Sequence, residues 1–292
     1  MSGTPVPGGR SGHPPRPFRL VATDLDGTLL RGDLTVSERT RRALRLVRDA
    51  GARHVVVTGR PASGCRWIPE ALGYRGIMVC GQGAQLYDAQ AHRLLTATSL
   101  DRHVARSAVA RIRAAVGPVS LAVLTAGLDG RFLTGPGYAL PGEFPSCTEA
   151  AEDTLWDEPI DKVLLRRPGL DDDVLTDTAA ALCGPHATAV LAADRQVELL
   201  PAGVDKAAGL ARAAALLGLG HQDTIAFGDM PNDLPMLRWA GYAVAMGNAH
   251  SQVLAAADEV APSNTEDGVA AVLERLFGPR SARGASAGVG AE

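Results

Sequence analysis

The sequence predicts an α/β fold in which a parallel-sheet core is interrupted by an inserted α+β module. Short apolar runs alternate with helical segments at both ends of the chain, which is typical of a doubly wound parallel sheet. The middle of the chain instead has successive strands joined by short turns, which indicates an antiparallel sheet. At 292 residues, with 46% hydrophobic, the chain is long enough for both units.

The first part of the core begins with a continuous apolar run over residues 18–23, typical of a strand buried on both faces. Thr35 and Glu38 stand at capping-box spacing and predict the start of a helix that ends at Gly51. Two further apolar runs predict the next strands, at residues 54–58 and 76–80.

The inserted α+β module is assigned to residues 86–199. It is predicted to begin with a hairpin. Apolar residues at four-residue intervals predict a helix over 100–116, and a second helix is predicted over 172–182. Five strands are predicted after the hairpin, at residues 120–125, 131–134, 162–165, 187–192 and 196–200.

After Pro201 the alternation of the core returns. The predicted elements are an Ala-rich helix, a strand, a short helix and a strand, at residues 206–217, 224–228, 234–239 and 242–246. The core is therefore assigned to residues 18–85 and 200–277. Residues 1–17 and 278–292 are rich in Pro, Gly, Ser or Ala, bury little apolar surface, and are predicted to be disordered tails.

The composition favours a small-molecule ligand. A net charge of -3 and a pI near 6.2 give no electrostatic reason to expect nucleic acid or an anionic membrane as partner. No apolar run is long enough to span a membrane and the start lacks a secretory h-region, so a cytoplasmic protein is expected. The four cysteines lack metal-ligand spacing and are predicted to be reduced core thiols.

Polar residues follow several predicted core strands, at the sheet edge where open α/β folds bind ligands. Each motif alone has a structural explanation, because D-G-T is an ordinary turn, a lone Lys is usually solvated, and acidic loops cap helices. The residues concerned are Asp24, Asp26, Thr58, Gly59, Arg60, Lys206 and the segment 228–233.

Taken together, these residues supply complementary parts of one reaction. Two carboxylates about 4 Å apart at an effective dielectric of about 20 repel by roughly 4 kcal/mol, and a cation would relieve that repulsion. Several converging carboxylates favour Mg²⁺, which takes oxygen ligands and a substrate phosphate. Thr58, the backbone N–H of Gly59 and the ammonium of Lys206 are suited to bind phosphoryl oxygens.

These residues resemble the haloacid dehalogenase superfamily of aspartate-nucleophile phosphohydrolases. D-L-D-G-T at 24–28 is similar to the first motif of that family, Thr58 to the second, Lys206 to the third, and G-D-M-P-N-D at 228–233 to the fourth. The similarity continues through the segments 236–237, 243–249, 257–258 and 263–269, which resemble the Cof-type branch. It covers residues 18–277.

The resemblance implies a Rossmann-like core with an inserted type IIB cap, and it implies roles for single residues. Asp24 would attack phosphorus and form an aspartyl-phosphate, while Asp26 would protonate the leaving alcohol and then activate water. Lys206 and Asn232 would position the phosphoryl group, beside Thr58 and Gly59. The Mg²⁺ ligands would be Asp24, the backbone carbonyl of Asp26, Asp229 and, directly or through water, Asp233.

The chain departs from the family pattern at two positions. Gln82 stands where relatives usually have Asn, and Ala207 follows the Lys where Gly is frequent. The resemblance implies a small phosphorylated metabolite as substrate, either a sugar phosphate or a phosphorylated cofactor precursor such as a flavin intermediate. Candidate cap residues for its recognition are Arg166, Arg167, Asp194 and Arg195, although charged residues of this kind are usually surface charges.

Two alternative functions remain open from the sequence. A phosphomutase shares this catalytic set and returns the phosphoryl group to an alcohol instead of water. A non-catalytic phosphometabolite-binding module would fit better if Asp24 or Asp26 were replaced, and both are present. Chemistry with a nucleotide cofactor finds little support, because the chain has no G-x-G-x-x-G after its first strand and no G-x-x-x-x-G-K-[ST].

Overall fold

The computed structural model describes residues 18–139, 147–193 and 195–279. In chain order its strands are β1 (Leu20–Thr23), β2 (Arg53–Val57), β3 (Ile77–Cys80), β4 (Gln85–Asp88), β5 (Arg93–Ala97), β6 (Ser120–Thr125), β7 (Phe132–Thr134), β8 (Cys147–Glu149), β9 (Ile160–Arg166), β10 (Ala187–Ala193), β11 (Gln196–Pro201), β12 (Thr224–Gly228), β13 (Tyr242–Ala245) and β14 (Glu259–Val260). Its α-helices are α1 (Glu38–Asp49), α2 (Ile68–Leu72), α3 (Arg102–Val116), α4 (Asp172–Cys183), α5 (Lys206–Leu216), α6 (Leu234–Trp239), α7 (Ser251–Ala256) and α8 (Gly268–Phe277).

The larger sheet, which we call the core sheet, has eight strands in the order β14-β13-β12-β1-β2-β3-β4-β5. The strands from β14 to β3 are all parallel. Successive residues of β1 lie in different apolar clusters, Val21 on one face and Leu20 and Ala22 on the other. Burial on both faces explains why these strands are continuous apolar runs, and the predicted α/β class is confirmed.

The hairpin β4–β5 belongs to the core sheet and not to the inserted module, where it was predicted. The inserted module was assigned to begin at residue 86, but β4 pairs antiparallel with β3, so the hairpin extends the core sheet. The turn between β3 and β4 explains the difference. Gly81, Gln82 and Gly83 all have positive φ, at 58°, 60° and 102°, and this tight turn returns the chain along the edge of β3.

The second sheet, which we call the inserted sheet, has six strands in the order β10-β11-β9-β6-β7-β8. All its pairs are antiparallel except β7 with β8. One face packs against α3 and α4 through residues such as Val163 and Leu199. The alternate residues, among them Leu124 and Leu164, lie on the opposite face, away from those helices.

Several local features differ from the sequence-based expectations. The N-cap of α1 is Ser37, which accepts a hydrogen bond from the N–H of Thr40, whereas Thr35 donates to Asp33 in the preceding turn. Helices α7 and α8 were not predicted, whereas α2 lies between β2 and β3, where the alternation of strands and helices predicts a helix. Cys147 is exposed in β8, so the prediction of four core thiols is wrong at this position. The predicted tails lie outside the described residues, apart from positions 278 and 279.

Helix α5 packs directly on the turn between β3 and β4. A Cβ atom on Gly209 would lie 2.6 Å from the Cα of Gly83 and 2.4 Å from Cγ1 of Val79, so only glycine permits this approach. This contact fixes the position of the first turn of α5 relative to the core sheet, and Lys206 lies in that turn. Among the residues that the structure describes, no helix has both the length and the apolar character needed to cross a membrane.

We expect Gly209→Ala to destabilise the protein by about 1 to 3 kcal/mol, because the added methyl group overpacks the contact with Gly83. Helix propensity alone predicts the opposite sign, a gain of up to about 1 kcal/mol. Thermal and urea unfolding measure the difference. Ala215→Gly, at an exposed position of the same helix, is the control for propensity and should cost about 1 kcal/mol. A Gly209→Ala protein more stable than the wild type would contradict the close packing.

Candidate active site

The carboxyl ends of the parallel core strands bring the predicted polar residues to one edge of the core sheet. Asp24 follows β1, Thr58 follows β2 and Asp229 follows β12. Strands β2 and β12 are the two neighbours of β1, so the three side chains start from adjacent strands. All three are buried, with exposed fractions of 5%, 1% and 6%.

Lys206 connects two of the carboxylates. Its Nζ lies 2.8 Å from Oδ1 of Asp24 and 2.6 Å from Oδ1 of Asp233. Lys206 is the first residue of α5, whose N-cap Asp205 accepts a hydrogen bond from the N–H of Ala208. The side chain is 1% exposed, so its charge depends on these carboxylates instead of water.

Asp233 is held by the backbone of its own loop. Its Oδ2 accepts hydrogen bonds from the N–H groups of Asp229 and Met230, at 2.9 and 3.0 Å. A Cβ atom on Gly228 would lie 2.5 Å from the Cβ of Asp233, so glycine at the end of β12 makes room for this side chain. Asp233 therefore orients Lys206 and shapes the loop that presents Asp229.

Asp229 is fixed from the other side by the D-L-D-G-T segment. Oγ1 of Thr28 donates a hydrogen bond of 2.7 Å to its Oδ1. A Cβ atom on Gly27 would lie 2.2 Å from its Oδ2, and Gly27 also has a φ of 76°. Gly27 is therefore required both by the positive φ of the turn and by the close approach of the Asp229 carboxylate.

Burial and mutual repulsion perturb the acids of this site. The pKa of Asp24 is raised well above its usual value, mainly by burial, and Asp233 and Asp229 add to the shift while Lys206 opposes it. Burial and the charge of Asp233 raise the pKa of Asp229 to about 7. Burial disfavours the ammonium of Lys206, but Asp233 and Asp24 outweigh that effect and raise its pKa.

These carboxylates fit a divalent cation. Oxygen atoms from Asp24, Asp229 and Asp233 lie within 4.8 Å of one another, and all three residues are buried. Three buried acids that repel one another need positive charge beyond that of one lysine. An all-oxygen donor set of this kind suits Mg²⁺.

Asp26 lies outside this carboxylate group. Its side chain accepts two hydrogen bonds from Arg60, from Nε at 2.7 Å and from Nη2 at 2.6 Å. The ligand predicted at this residue is its backbone carbonyl, so the pairing with Arg60 leaves that prediction untested. Arg60 belongs to the T-G-R segment but was not among the predicted site residues. Its position after β2, on the strand next to Asp26, is the signal that was available.

The remaining predicted phosphate-binding residues lie at the same edge. Oγ1 of Thr58 accepts a hydrogen bond from the N–H of Arg60 at 3.1 Å. Nδ2 of Asn232 donates to Oε1 of Gln82 at 3.0 Å, and its Oδ1 is buried without a hydrogen-bond partner among the described residues. The amide of Gln82 lies against Gly59, where a Cβ atom would be 2.6 Å from Nε2.

Two charged residues of the inserted sheet reach this edge and were missed by the sequence analysis. Nζ of Lys162 donates to the backbone carbonyl of Gly59 at 3.0 Å, and Nε2 of Gln82 donates to Oε2 of Glu198 at 3.0 Å. Both were placed inside predicted strands. A charge within an otherwise apolar strand was the signal that could have identified them.

The four predicted recognition residues lie elsewhere in the inserted module or outside the described chain. Arg166 lies over the ring of Tyr138, 6.0 Å from its centroid, and Arg167 donates to the carbonyl of Val116. The backbone N–H of Arg195 donates to Asp172. Asp194 lies outside the described residues.

A groove of about 680 Å³ lies between α1, the start of β2 and the segment after α2. It is lined by arginines such as Arg41, Arg45 and Arg53. It is at the amino end of β2, opposite the edge where Thr58 and the carboxylates meet. This groove therefore lies away from the edge where the charged groups converge.

Comparison with known proteins points to one family. Residues 21–273 match the model of the haloacid dehalogenase-like hydrolases. A relative from Bacillus subtilis (strain 168), a 5-amino-6-(5-phospho-D-ribitylamino)uracil phosphatase, is 30% identical over 271 residues, which is 88% of this chain and 97% of that protein.

Two solved structures share the whole fold. A haloacid dehalogenase-like hydrolase from B. subtilis superposes with a TM-score of 0.75 at 25% identity, over 88% of this chain and 99% of that one. A haloacid dehalogenase subclass IIB sugar phosphatase superposes with a TM-score of 0.73 at 18% identity, over 88% and 98% of the two chains. This likeness confirms the predicted core with an inserted cap.

We expect Mg²⁺ to stabilise the wild-type protein against thermal unfolding, by about 2.7 kcal/mol at a concentration 100 times its dissociation constant. Asp229→Asn should remove most of this effect. In EDTA the same variant should be more stable than the wild type, because a neutral amide no longer repels Asp24 and Asp233.

Asp173→Asn, at an exposed position of α4, is the matched control and should keep the full response to Mg²⁺. The assignment of the cation site would be wrong if the wild type did not respond to Mg²⁺. It would also be wrong if Asp229→Asn responded as strongly as the wild type.

Proposed function

Because this chain belongs to the haloacid dehalogenase-like hydrolases and is a phosphatase of that family, we propose that it hydrolyses a small phosphorylated metabolite through an aspartyl-phosphate on Asp24. The observation that carries this proposal is the buried ion pair between Asp24 and Lys206, with Nζ to Oδ1 at 2.8 Å, beside two further carboxylates. The pair holds a carboxylate oxygen of Asp24 in place at the end of β1, and the charge of Lys206 opposes the rise in its pKa that burial causes.

In the first step, a carboxylate oxygen of Asp24 bonds to phosphorus while the bond from phosphorus to the alcohol oxygen breaks. Asp26 gives a proton to that leaving oxygen. In the second step, water loses a proton to Asp26 and attacks phosphorus, which releases inorganic phosphate and restores the carboxylate of Asp24. Dividing one difficult displacement into two easier ones is the advantage of a covalent intermediate.

The chain supplies binding groups for the phosphoryl oxygens. The hydroxyl of Thr58 and the ammonium of Lys206 act as donors where the transition state spreads negative charge. Asp24, Asp229 and Asp233 would hold Mg²⁺, with the backbone carbonyl of Asp26. Bound there, the cation would reduce the repulsion between the anionic substrate and the carboxylates.

The contact between Asp26 and Arg60 sets a condition for the acid step. In this contact both carboxylate oxygens of Asp26 accept hydrogen bonds from Arg60, so neither is free to meet a leaving oxygen. Asp26 must therefore turn from Arg60 before it protonates the leaving oxygen. Its side chain is 45% exposed, so water can replace the contacts that it loses.

The substrate class follows from similarity and from the inserted sheet. The Bacillus relative is named for a phosphorylated ribitylamino-uracil, a flavin precursor in which the phosphate is carried by a polyhydroxylated chain. We propose a substrate of this general kind, a phosphorylated sugar or a phosphorylated cofactor precursor. The inserted sheet lies over the site and contacts Gly59 and Gln82, so it is placed to bind the part of the substrate beyond phosphate.

We expect Mg²⁺-dependent phosphate release from p-nitrophenyl phosphate and from a panel of sugar and flavin-precursor phosphates. Asp24→Asn should lower kcat at least about 10³-fold, because no nucleophile remains. The control is Asp33→Asn, an exposed carboxylate that accepts hydrogen bonds within its own turn, and it should retain wild-type kcat. Rapid quenching with mass spectrometry should find the phosphoryl group on Asp24 in the wild type.

Hydrolysis in ¹⁸O-labelled water separates the remaining possibilities. One solvent oxygen in the released phosphate is the expected result, because water attacks phosphorus. Transfer of the phosphoryl group to an added alcohol, with no inorganic phosphate formed, would identify a mutase instead. Binding of phosphate esters without any turnover in Mg²⁺ would refute the enzymatic proposal.

A further inference from the structure

The groove at the amino end of β2 concentrates positive charge, and we call it the arginine groove. Its volume of about 680 Å³ is within the range of small-molecule sites. Among the described residues, five arginines and one carboxylate, that of Glu70, line it. The arginines are Arg41, Arg45, Arg48, Arg53 and Arg75. The whole chain has a net charge of -3, so this positive charge is local to the groove.

Three of these arginines come from one face of α1. Arg41, Arg45 and Arg48 are spaced by four and three residues, so they lie on the same side of the helix. Like charges at this spacing destabilise a helix. Glu38 offsets part of the repulsion, because its Oε1 accepts from Nη2 of Arg45 at 2.7 Å. Its side chain is 60% exposed, so water screens this pair and leaves the repulsion largely in place.

The opposite side of the groove offers guanidinium groups that no carboxylate neutralises. Arg53 begins β2 and Arg75 lies between α2 and β3, and both are exposed. Neither side chain forms an ion pair or a hydrogen bond with another residue of the described chain. Arg48 lies 3.7 Å from Asp49, and these two side chains are 67% and 69% exposed. The N–H donors of three arginines are therefore available to a ligand.

Hydrogen bonds to the backbone hold the walls of the groove in place. Nε of Arg41 donates to the carbonyl of Ala71 at 2.8 Å, which joins α1 to the last turn of α2. The hydroxyl of Tyr74 donates to the carbonyl of His54 at 3.0 Å, which joins the segment after α2 to β2. A site whose walls are fixed before binding loses less conformational entropy when a ligand enters.

The chemistry of the groove favours a ligand with several phosphate groups. The planar guanidinium of arginine donates two parallel hydrogen bonds to phosphate oxygens. Here the guanidinium groups come from three different segments around one cavity, so a ligand needs more than one anionic group to contact them together. The negative net charge of the chain and the small-molecule volume of the groove disfavour nucleic acid.

We propose that the arginine groove binds a small polyanion with at least two phosphate groups, at a site separate from the candidate active site. Arg53 and Thr58 stand at opposite ends of β2, a strand of five residues, and are therefore roughly 16 Å apart. A ligand in the groove is thus distinct from the ester that reacts at Asp24. The inference does not depend on the proposed phosphatase function, because it concerns binding alone.

Isothermal titration calorimetry with inorganic triphosphate tests the proposal, in EDTA so that no cation links the probe to the carboxylates of the candidate active site. We expect saturable binding of one triphosphate per chain, at least about tenfold tighter than that of orthophosphate, because more guanidinium contacts form. Arg53→Glu combined with Arg75→Glu should weaken binding of triphosphate at least about tenfold. The affinity of the wild type should fall as salt is added.

The matched control is Arg106→Glu combined with Arg111→Glu. Both positions are exposed on α3 in the inserted module, and the pair changes the net charge by the same amount. This control should bind triphosphate as the wild type does.

Thermal unfolding shows whether the variants are folded. All four substituted positions are exposed, so without ligand each variant should unfold near the midpoint of the wild type. Triphosphate should raise the midpoint of the wild type and of the control, but not that of the groove variant.

Further probes separate the sources of the same phosphate chemistry. ATP has adjacent phosphates and fructose 1,6-bisphosphate has separated ones. Binding of either that is lost in the groove variant and kept in the control supports the inference and identifies the arrangement of phosphates that the groove selects.

Three results would overturn the inference. One is the absence of saturable binding of every phosphate probe by the wild type. Another is equal binding by the wild type and the groove variant, which would locate the probe elsewhere, such as at the phosphate-binding residues of the candidate active site. The third is tighter binding of a single-stranded oligonucleotide than of triphosphate, which would identify a nucleic-acid surface instead.

Discussion

The ammonium of Lys206 is the contact on which the rest of the site depends. Asp24 follows β1, whereas Asp229 and Asp233 share the loop after β12, and without a cation the burial of the three carboxylates beside one another would be strongly unfavourable. Lys206 contacts Asp24 and Asp233 directly, and it stands at the start of α5, which packs on the turn after β3. The position of α5, its glycine contact with the turn after β3 and the arrangement of the carboxylates therefore depend on one another.

The parts of the fold that follow from local pattern were predictable from the sequence. Continuous apolar runs identified the parallel strands, and the carboxyl ends of such strands must meet at one edge, which brought Asp24, Thr58 and Asp229 together. Residues whose partners are distant in sequence were not predictable. Lys162 and Glu198 are 36 positions apart, and no periodicity reveals that β9 and β11 are neighbours or which face meets the core. The hairpin β4–β5 was misplaced for the same reason, because its pairing with β3 depends on the turn at Gln82.

The two sheets divide the chemistry between them. The core supplies the proposed nucleophile Asp24 and Asp229 from strand ends, Lys206 from the start of α5 and Asp233 from the loop before α6, where small displacements would be costly. The inserted sheet supplies a charged pair from the middle of two antiparallel strands. Under the proposed function, variation on that face would change the choice of leaving group without disturbing the residues that contact phosphorus.

The hydrogen bond from Lys162 to the carbonyl of Gly59 has a consequence for energetics. Lys162 donates to the carbonyl of Gly59 and Glu198 accepts from Gln82, so a substrate that bound to these groups would exchange one set of hydrogen bonds for another and add few new ones. Such an exchange is close to thermoneutral and limits affinity for the ground state. In the proposed reaction, weak retention of the alcohol after bond cleavage would favour rapid departure of the product.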